Sequence, residues 1–283
     1  MSKRNKERAR KSKREIFKKP KSFEKPRTVR IIYAVMELIV IATLIDQFRM
    51  ENYHNSFICL LTLALFNIPM IADKKFNIKL PNAMEITIVL FIFAAEILGE
   101  IQSFYTRFPY WDAVLHTMNG FLMSAVGFTM IDILNNNPKI HMNMSPFFVA
   151  FVSFCFSMTT GVVWEFFEFA MDHFFLTDMQ KDAFAGAVSS VALNPSGLND
   201  PVIIRDISSV VINGVKDGVR GAYEYTGGYL DVGIADTMKD LIVNCIGAVV
   251  FSAIGFVYIK KRGKNKIAQS FIPQLKAPQP ENE

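Results

Sequence analysis

Six stretches of this chain stay apolar for close to the thickness of a bilayer: residues 31–48, 56–72, 84–101, 111–134, 146–170 and 237–259. A helix rises about 1.5 Å per residue, so about 20 mostly apolar residues cross the hydrocarbon core. Lipid offers the backbone no hydrogen-bond partners, so a crossing segment must satisfy its own amides. The runs predict an all-α fold, a polytopic membrane protein built as a bundle of six transmembrane helices. At 51% hydrophobic, with 26 Phe and 14 Met in 283 residues, the composition suits spans joined by short loops. No repeat with a period of about 20–50 residues is visible.

Orientation follows from the short flanks. Fourteen Lys/Arg crowd residues 1–30, which read as a basic, disordered cytoplasmic arm. Lys74, Lys75 and Lys79 follow the second run, Lys139 the fourth, and Lys260, Lys261 and Arg262 the sixth. The opposite loops, 49–55 and 102–110, hold one arginine each, so both termini are expected in the cytoplasm. Beside a membrane segment the arm is expected to hold anionic lipid, and no nucleic-acid partner is expected. Residues 31–259 form the six-span domain and 260–283 a basic, proline-containing cytoplasmic tail, its last residues, IAQSFIPQLKAPQPENE, expected to be disordered. Cys59, Cys155 and Cys245 each sit in an apolar run and read as small hydrophobes.

One segment, 171–235, is long and lies on the outer side. Its middle, DPVIIRDISSVVINGVKDGVR, places Ile203, Ile207, Val210, Val211 and Val215 at helical spacing behind Pro201. Its charges are too many for a span, so an amphipathic helix lying on the outer surface is predicted.

Polar residues acquire a depth from this topology. The fourth run opens WDAVLHTMNG, with Asp112 at the outer rim and His116 one turn deeper. The fifth ends in GVVWEFFEFAMD, with Glu165 and Glu168; the sixth begins ADTMKDLIVNCIGA, with Asp236, Asp240 and Asn244. The third ends AAEILGEI and adds Glu96 and Glu100 at the same level. The spacings of three and four put each set on one helical face. A carboxylate at the centre of a spanning helix costs about 2.5–3.5 kcal/mol, so these faces should turn to a shared pocket. Several carboxylates in one pocket repel one another unless a cation, a proton or a base neutralises them. A divalent metal serves that need. His116 with Asp112, Asp240 and Asp236 makes a mixed set suited to Zn²⁺ or Mn²⁺, and an all-oxygen set would take Mg²⁺ or Ca²⁺. Glu165 and Glu168 are the candidate catalytic bases; Glu96, Glu100 and Asn244 are supporting residues. The blander reading makes rim residues such as Asp112, Asp236 and Glu100 solvated helix ends. It makes Gly120, Ser124, Gly127, Gly247, Ser252 and Gly255 close-packing positions.

The series WDAVLH…NGF, WEFFEFAMD and DTMKDLIVNCIGA resembles the YjdF-like family of bacterial inner-membrane proteins, over about residues 30–260. In the order His, Glu-x-x-polar, Asp…Asn-x-x-Gly it is also faintly similar to VanZ-like membrane proteins. The resemblance implies a multi-pass protein of the bacterial inner membrane and carries over no activity. The outer segment departs from the family pattern, as an insertion over about 181–229.

Three classes of function stay open from the sequence. A metal-dependent enzyme would act on an envelope lipid or lipid-linked molecule at the outer leaflet. A proton- or divalent-ion-coupled transporter would use buried carboxylates, although the acids cluster on one side and form no relay. A scaffold would use the polar groups only to join helices.

Overall fold

The computed structural model describes residues 25–75, 78–135, 144–261 and 266–275. Most of the basic arm, Lys139, Arg262 and the last eight residues lie outside them. Five helices are long and apolar enough to cross a membrane: Arg27–Arg49, Tyr53–Lys75, Trp111–Asn135, Pro146–Phe175 and Ile234–Lys260. The fold is mostly helical and the protein is multi-pass.

Two compact units divide the chain, Met1–Phe66 and Asn67–Glu283. The first holds α1 (Arg27–Arg49) and α2 (Tyr53–Leu65). Asn52 caps α2, its side chain accepting the Asn55 N–H at 3.1 Å. Asn55 in turn donates to the Gln47 side chain at 2.9 Å, which ties the two helices at their connection.

The second unit opens with α3 (Ile68–Lys75), the short strand β1 (Ile78–Lys79) and α4 (Asn82–Phe93). The third expected span is not one regular helix. α4 passes into a π-helical turn, Ala94–Ile101, and the short α5 (Phe104–Arg107) follows. Glu96 and Glu100 sit on that wider turn. The core is a trio: α6 (Trp111–Asn135), α7 (Pro146–Phe175) and α8 (Ile234–Lys260).

Small residues let the trio close. A Cβ on Gly120 would collide with the Asn244 carbonyl oxygen, and one on Gly247 with the Thr117 carbonyl oxygen. One turn further in, Ser124 Oγ meets Ser153 Oγ at 2.9 Å and Ser252 Oγ at 3.0 Å, so one hydroxyl layer joins all three helices. Ser157 donates to the Gly120 carbonyl at 2.7 Å. Beyond this layer Phe128, Ala125, Val149 and Met84 are buried together with Phe251, and Thr129 and Glu85 are buried as well.

That apolar end holds a correction to the expected disordered tail. Residues 266–275 return to the bundle through α9 (Lys266–Gln269) and β8 (Gln274–Leu275). Ala268 and Ile272 are buried in the apolar core, and the Phe271 ring lies edge-on to Phe121 at 5.0 Å. β8 pairs antiparallel with β1. A three-residue apolar insertion among polar neighbours is too short a signal to read from composition.

The outer segment corrects a second expectation and with it the all-α class. No helix covers residues 200–220; the stretch is strand and turn. β2 (Phe184–Ala185) pairs with β7 (Tyr229–Leu230), and β3 (Val188–Ser190) with β4 (Val202–Ile204). β5 (Ser209–Lys216) and β6 (Val219–Thr226) make a hairpin. Its two-residue turn is Asp217-Gly218, both at positive φ, 51° and 80°. That is the Asp-Gly chemistry of the tight hairpin turns whose twist matches the strands. Val and Ile fill the stretch so densely that a helical period can be picked out by chance. Their branched Cβ atoms favour strands.

Candidate metal centre

At the end of the trio opposite the docked tail, α6 contributes its first turns, α7 its last and α8 its first. Asp112 and His116, one turn apart on α6, face each other with Nε2 to Oδ1 at 3.5 Å. The other imidazole nitrogen, Nδ1, lies 4.0 Å from Glu165 Oε1 on α7. Asp240 of α8 completes a group: one donor atom each from Asp112, His116 and Asp240 lie within 4.8 Å of one another. Donors at such separations can converge on a cation with small side-chain adjustments.

The interior of the group is dry and incompletely satisfied. Asp240 is 1% exposed, Glu165 4% and His116 8%. Asp240 Oδ1 and Glu165 Oε1 are buried with no hydrogen bond. Lys239 Nζ stands 3.8 Å from Asp240 Oδ1, beyond hydrogen-bond length, and 3.0 Å from Asp236 Oδ1, which it does bond. A buried carboxylate oxygen without a partner is costly, and a cation is one partner that would relieve it.

Other expected residues have different surroundings. Asp236 has both oxygens engaged, one by Lys239 and one by the Lys181 N–H at 2.9 Å. Glu168 is buried, and Trp164 Nε1 donates to its Oε1 at 2.8 Å. Asn244 lies deeper; its Oδ1 accepts from Asn119 at 3.2 Å and its Nδ2 faces the Met158 sulfur at 3.7 Å. Glu96 and Glu100 are not part of the three-donor group among the described residues. Tyr105 on α5 is close enough to feel both sets of acids. Burial raises its phenol above its ordinary range, and Asp112, Glu100, Glu96 and Glu168 add to the rise.

A short strap crosses the outer face. Asp172 accepts from the Met179 and Gln180 N–H groups at 2.7 Å and from the Thr177 hydroxyl at 2.6 Å. Asp231 accepts from the N–H groups of Ala183 at 2.7 Å, Ala235 at 2.9 Å and Gly233 at 3.3 Å. These bonds, with that of Asp236 to Lys181, lay residues 177–183 over the helix ends and turn Gln180 inward. Gln180 Nε2 donates to Thr237 Oγ1 at 2.7 Å and reaches Glu165 Oε2 at 3.4 Å.

Asp231 thus serves both the strap and the start of α8. Burial pushes its carboxyl up, but the Ala183, Ala235 and Gly233 N–H groups outweigh burial and hold it below the usual carboxylate range. Its contribution is therefore complete above the ordinary value of 3.8 and is lost as pH falls through the lower folded value. At neutral pH, Asp231→Ala should cost about 1 kcal/mol, the usual scale of a lost cap. Faster tryptic cleavage at Lys181 is the expected readout, with the global melting temperature little changed. Unaltered cleavage would mean that the strap does not depend on this carboxylate.

A family model described as a predicted membrane protein (DUF2238) matches residues 29–261, most of the chain. The chain belongs to that family. No curated protein and no solved structure matches it. In this DUF2238 member, sequence reasoning missed four polar contacts around the acids. Trp164 and Thr237 stand inside the motifs that drew attention to Glu165 and Asp236, and Asn119 lies one turn beyond His116. Gln180 carries no local signal, because only the folding back of the strap brings it to Glu165.

Proposed function

We propose that this protein is a six-span protein of the bacterial inner membrane, both termini cytoplasmic, with a divalent-metal hydrolytic centre at its outer end. Asp112, His116 through Nε2, and Asp240 hold the cation, with Zn²⁺ or Mn²⁺ suited to the mixed donor set. Glu165, with Oε1 4.0 Å from Nδ1, stands where a carboxylate behind a metal-bound histidine would orient the ring once the side chains close up. Glu168, with one oxygen held by Trp164, is the proton carrier. The substrate is a membrane amphiphile presented at the outer leaflet, and the basic arm rests on anionic lipid at the inner one.

The observation that carries this reading is the pair of buried carboxylate oxygens without a hydrogen bond, on Asp240 and Glu165, set around one imidazole. It also separates the alternatives. A cluster that only joined helices would bond its own groups, as the serine layer does. An ion conduit would continue inward, yet beyond that layer Phe128 is fully buried and packs edge to face with Tyr258, ring centroids 6.2 Å apart. The test is elemental analysis of detergent-purified protein. About one equivalent of transition metal is expected in the wild type and under a tenth of that in His116→Ala, in keeping with loss of a ligand. Equal metal in both, or none in either after Zn²⁺ or Mn²⁺ loading, would overturn the assignment.

A further inference from the structure

Resting on that metal centre, the charges around it narrow the class of substrate. Asp112, Asp236, Asp240, Glu165 and Glu168 act on one another within the site. Against these five carboxylates the pocket offers one ammonium, Lys239, already bound to Asp236. His116 has a carboxylate on either side. With that ammonium already bound, the set offers no free cationic side chain to grip an anionic group, and a neutral or cationic group has no such need.

The neighbouring space is likewise poor in groups that would grip an anion. A cleft of about 440 Å³ opens beside the strap, with Gln180 in its wall, so one residue borders both the cleft and Glu165. Phe169, Leu176 and Val232 give it apolar surface; Asp172, Asp178, Asp182 and His173 line it as well, Asp178 pairing with Lys181 at 3.4 Å, and no Lys or Arg lines it among the described residues. Enzymes that grip phosphate supply guanidinium, ammonium or several metal ions for its oxygens. Here the cleft offers a phosphate no guanidinium or ammonium of its own, and its apolar wall suits an alkyl chain.

We infer that the centre acts on an uncharged carboxylic ester of a neutral or cationic amphiphile, and not on a phosphate ester. A cation held by Asp112, His116 and Asp240 would supply an activated water; addition of that water to the carbonyl carbon would break the acyl C–O bond. The proton released by the water passes through Glu168 to the departing alcohol. The products are a carboxylic acid and an alcohol, with no redox partner needed.

The experiment uses full-length protein in detergent micelles, loaded with Zn²⁺ or Mn²⁺ and assayed for bound metal beforehand. The probes are p-nitrophenyl octanoate, p-nitrophenyl phosphate and bis(p-nitrophenyl) phosphate. The octanoate should turn over in a metal-dependent way, and Glu168→Gln, with metal still bound, should lower the rate by roughly 100-fold, the scale of a lost proton carrier. Asp240→Asn should abolish it together with the metal, and His116→Gln provides a second ligand variant should the first fold poorly. Both phosphates should stay at the blank rate. Metal-dependent hydrolysis of either phosphate would overturn the inference while leaving the metal centre standing. Bound metal with no turnover of any probe would overturn it too. Failure to bind metal at all would remove the reading beneath it.

Discussion

Gly120→Val is expected to leave almost no monodisperse protein after detergent extraction, and Gly247→Val should do the same. At both positions the added Cβ would run into a backbone carbonyl, that of Asn244 in one case and Thr117 in the other. A side chain in the way can rotate; a helix backbone cannot. Adding methylenes to a filled core costs about 1–3 kcal/mol when neighbours can move, and more when they cannot. Parting α6 from α8 would also break the Asn119–Asn244 bond and the Ser124–Ser252 contact. The pair should therefore fall at or beyond about 3 kcal/mol, a large share of the usual stability of a domain. Gly214→Ala is the control: it sits in β5 with open space around its Cα and should extract like wild type. Wild-type yield and elution from Gly120→Val would mean that the helices do not approach as closely as described.

Asp240→Asn should reverse its effect on stability with the metal. Without metal the carboxylate is 1% exposed with one oxygen unbonded, a costly arrangement that a neutral amide relieves. Removing an unsatisfied buried group is worth about 1–3 kcal/mol, so the metal-free variant should melt above metal-free wild type. The order should invert on adding Zn²⁺ or Mn²⁺. A ligand at about 100 times its Kd stabilises the state that binds it by about 2.7 kcal/mol, and the variant should gain almost none of that. Thermal unfolding in detergent, with and without metal, reads all four states. If the substitution lowers the melting temperature equally in both conditions, Asp240 is a structural residue and the centre loses its deepest donor.

Hydropathy alone located the helical segments, because bilayer thickness demands long apolar runs and little else produces them. The i,i+4 spacing of Asp112 with His116, and of Asp236 with Asp240, put each pair on one face, because helix geometry is local. The same local pattern misled over residues 200–220, where nine Val and Ile among 21 residues imitate a helical period. The Asp217-Gly218 turn was the legible signal there, and it points to a hairpin. No local rule reaches the rest. Tertiary packing bonds Asp236 to Lys239 and Lys181 while leaving Asp240 Oδ1 bare, although the two acids share a helix face. It carries Gln180 to Glu165 and Phe271 to Phe121, contacts that depend on where chain ends fold back. Sequence thus determined which residues could be polar at one end of a membrane bundle. Only packing decided which of them are satisfied by neighbours and which still need a cation, since satisfaction is a matter of ångströms between separate helices.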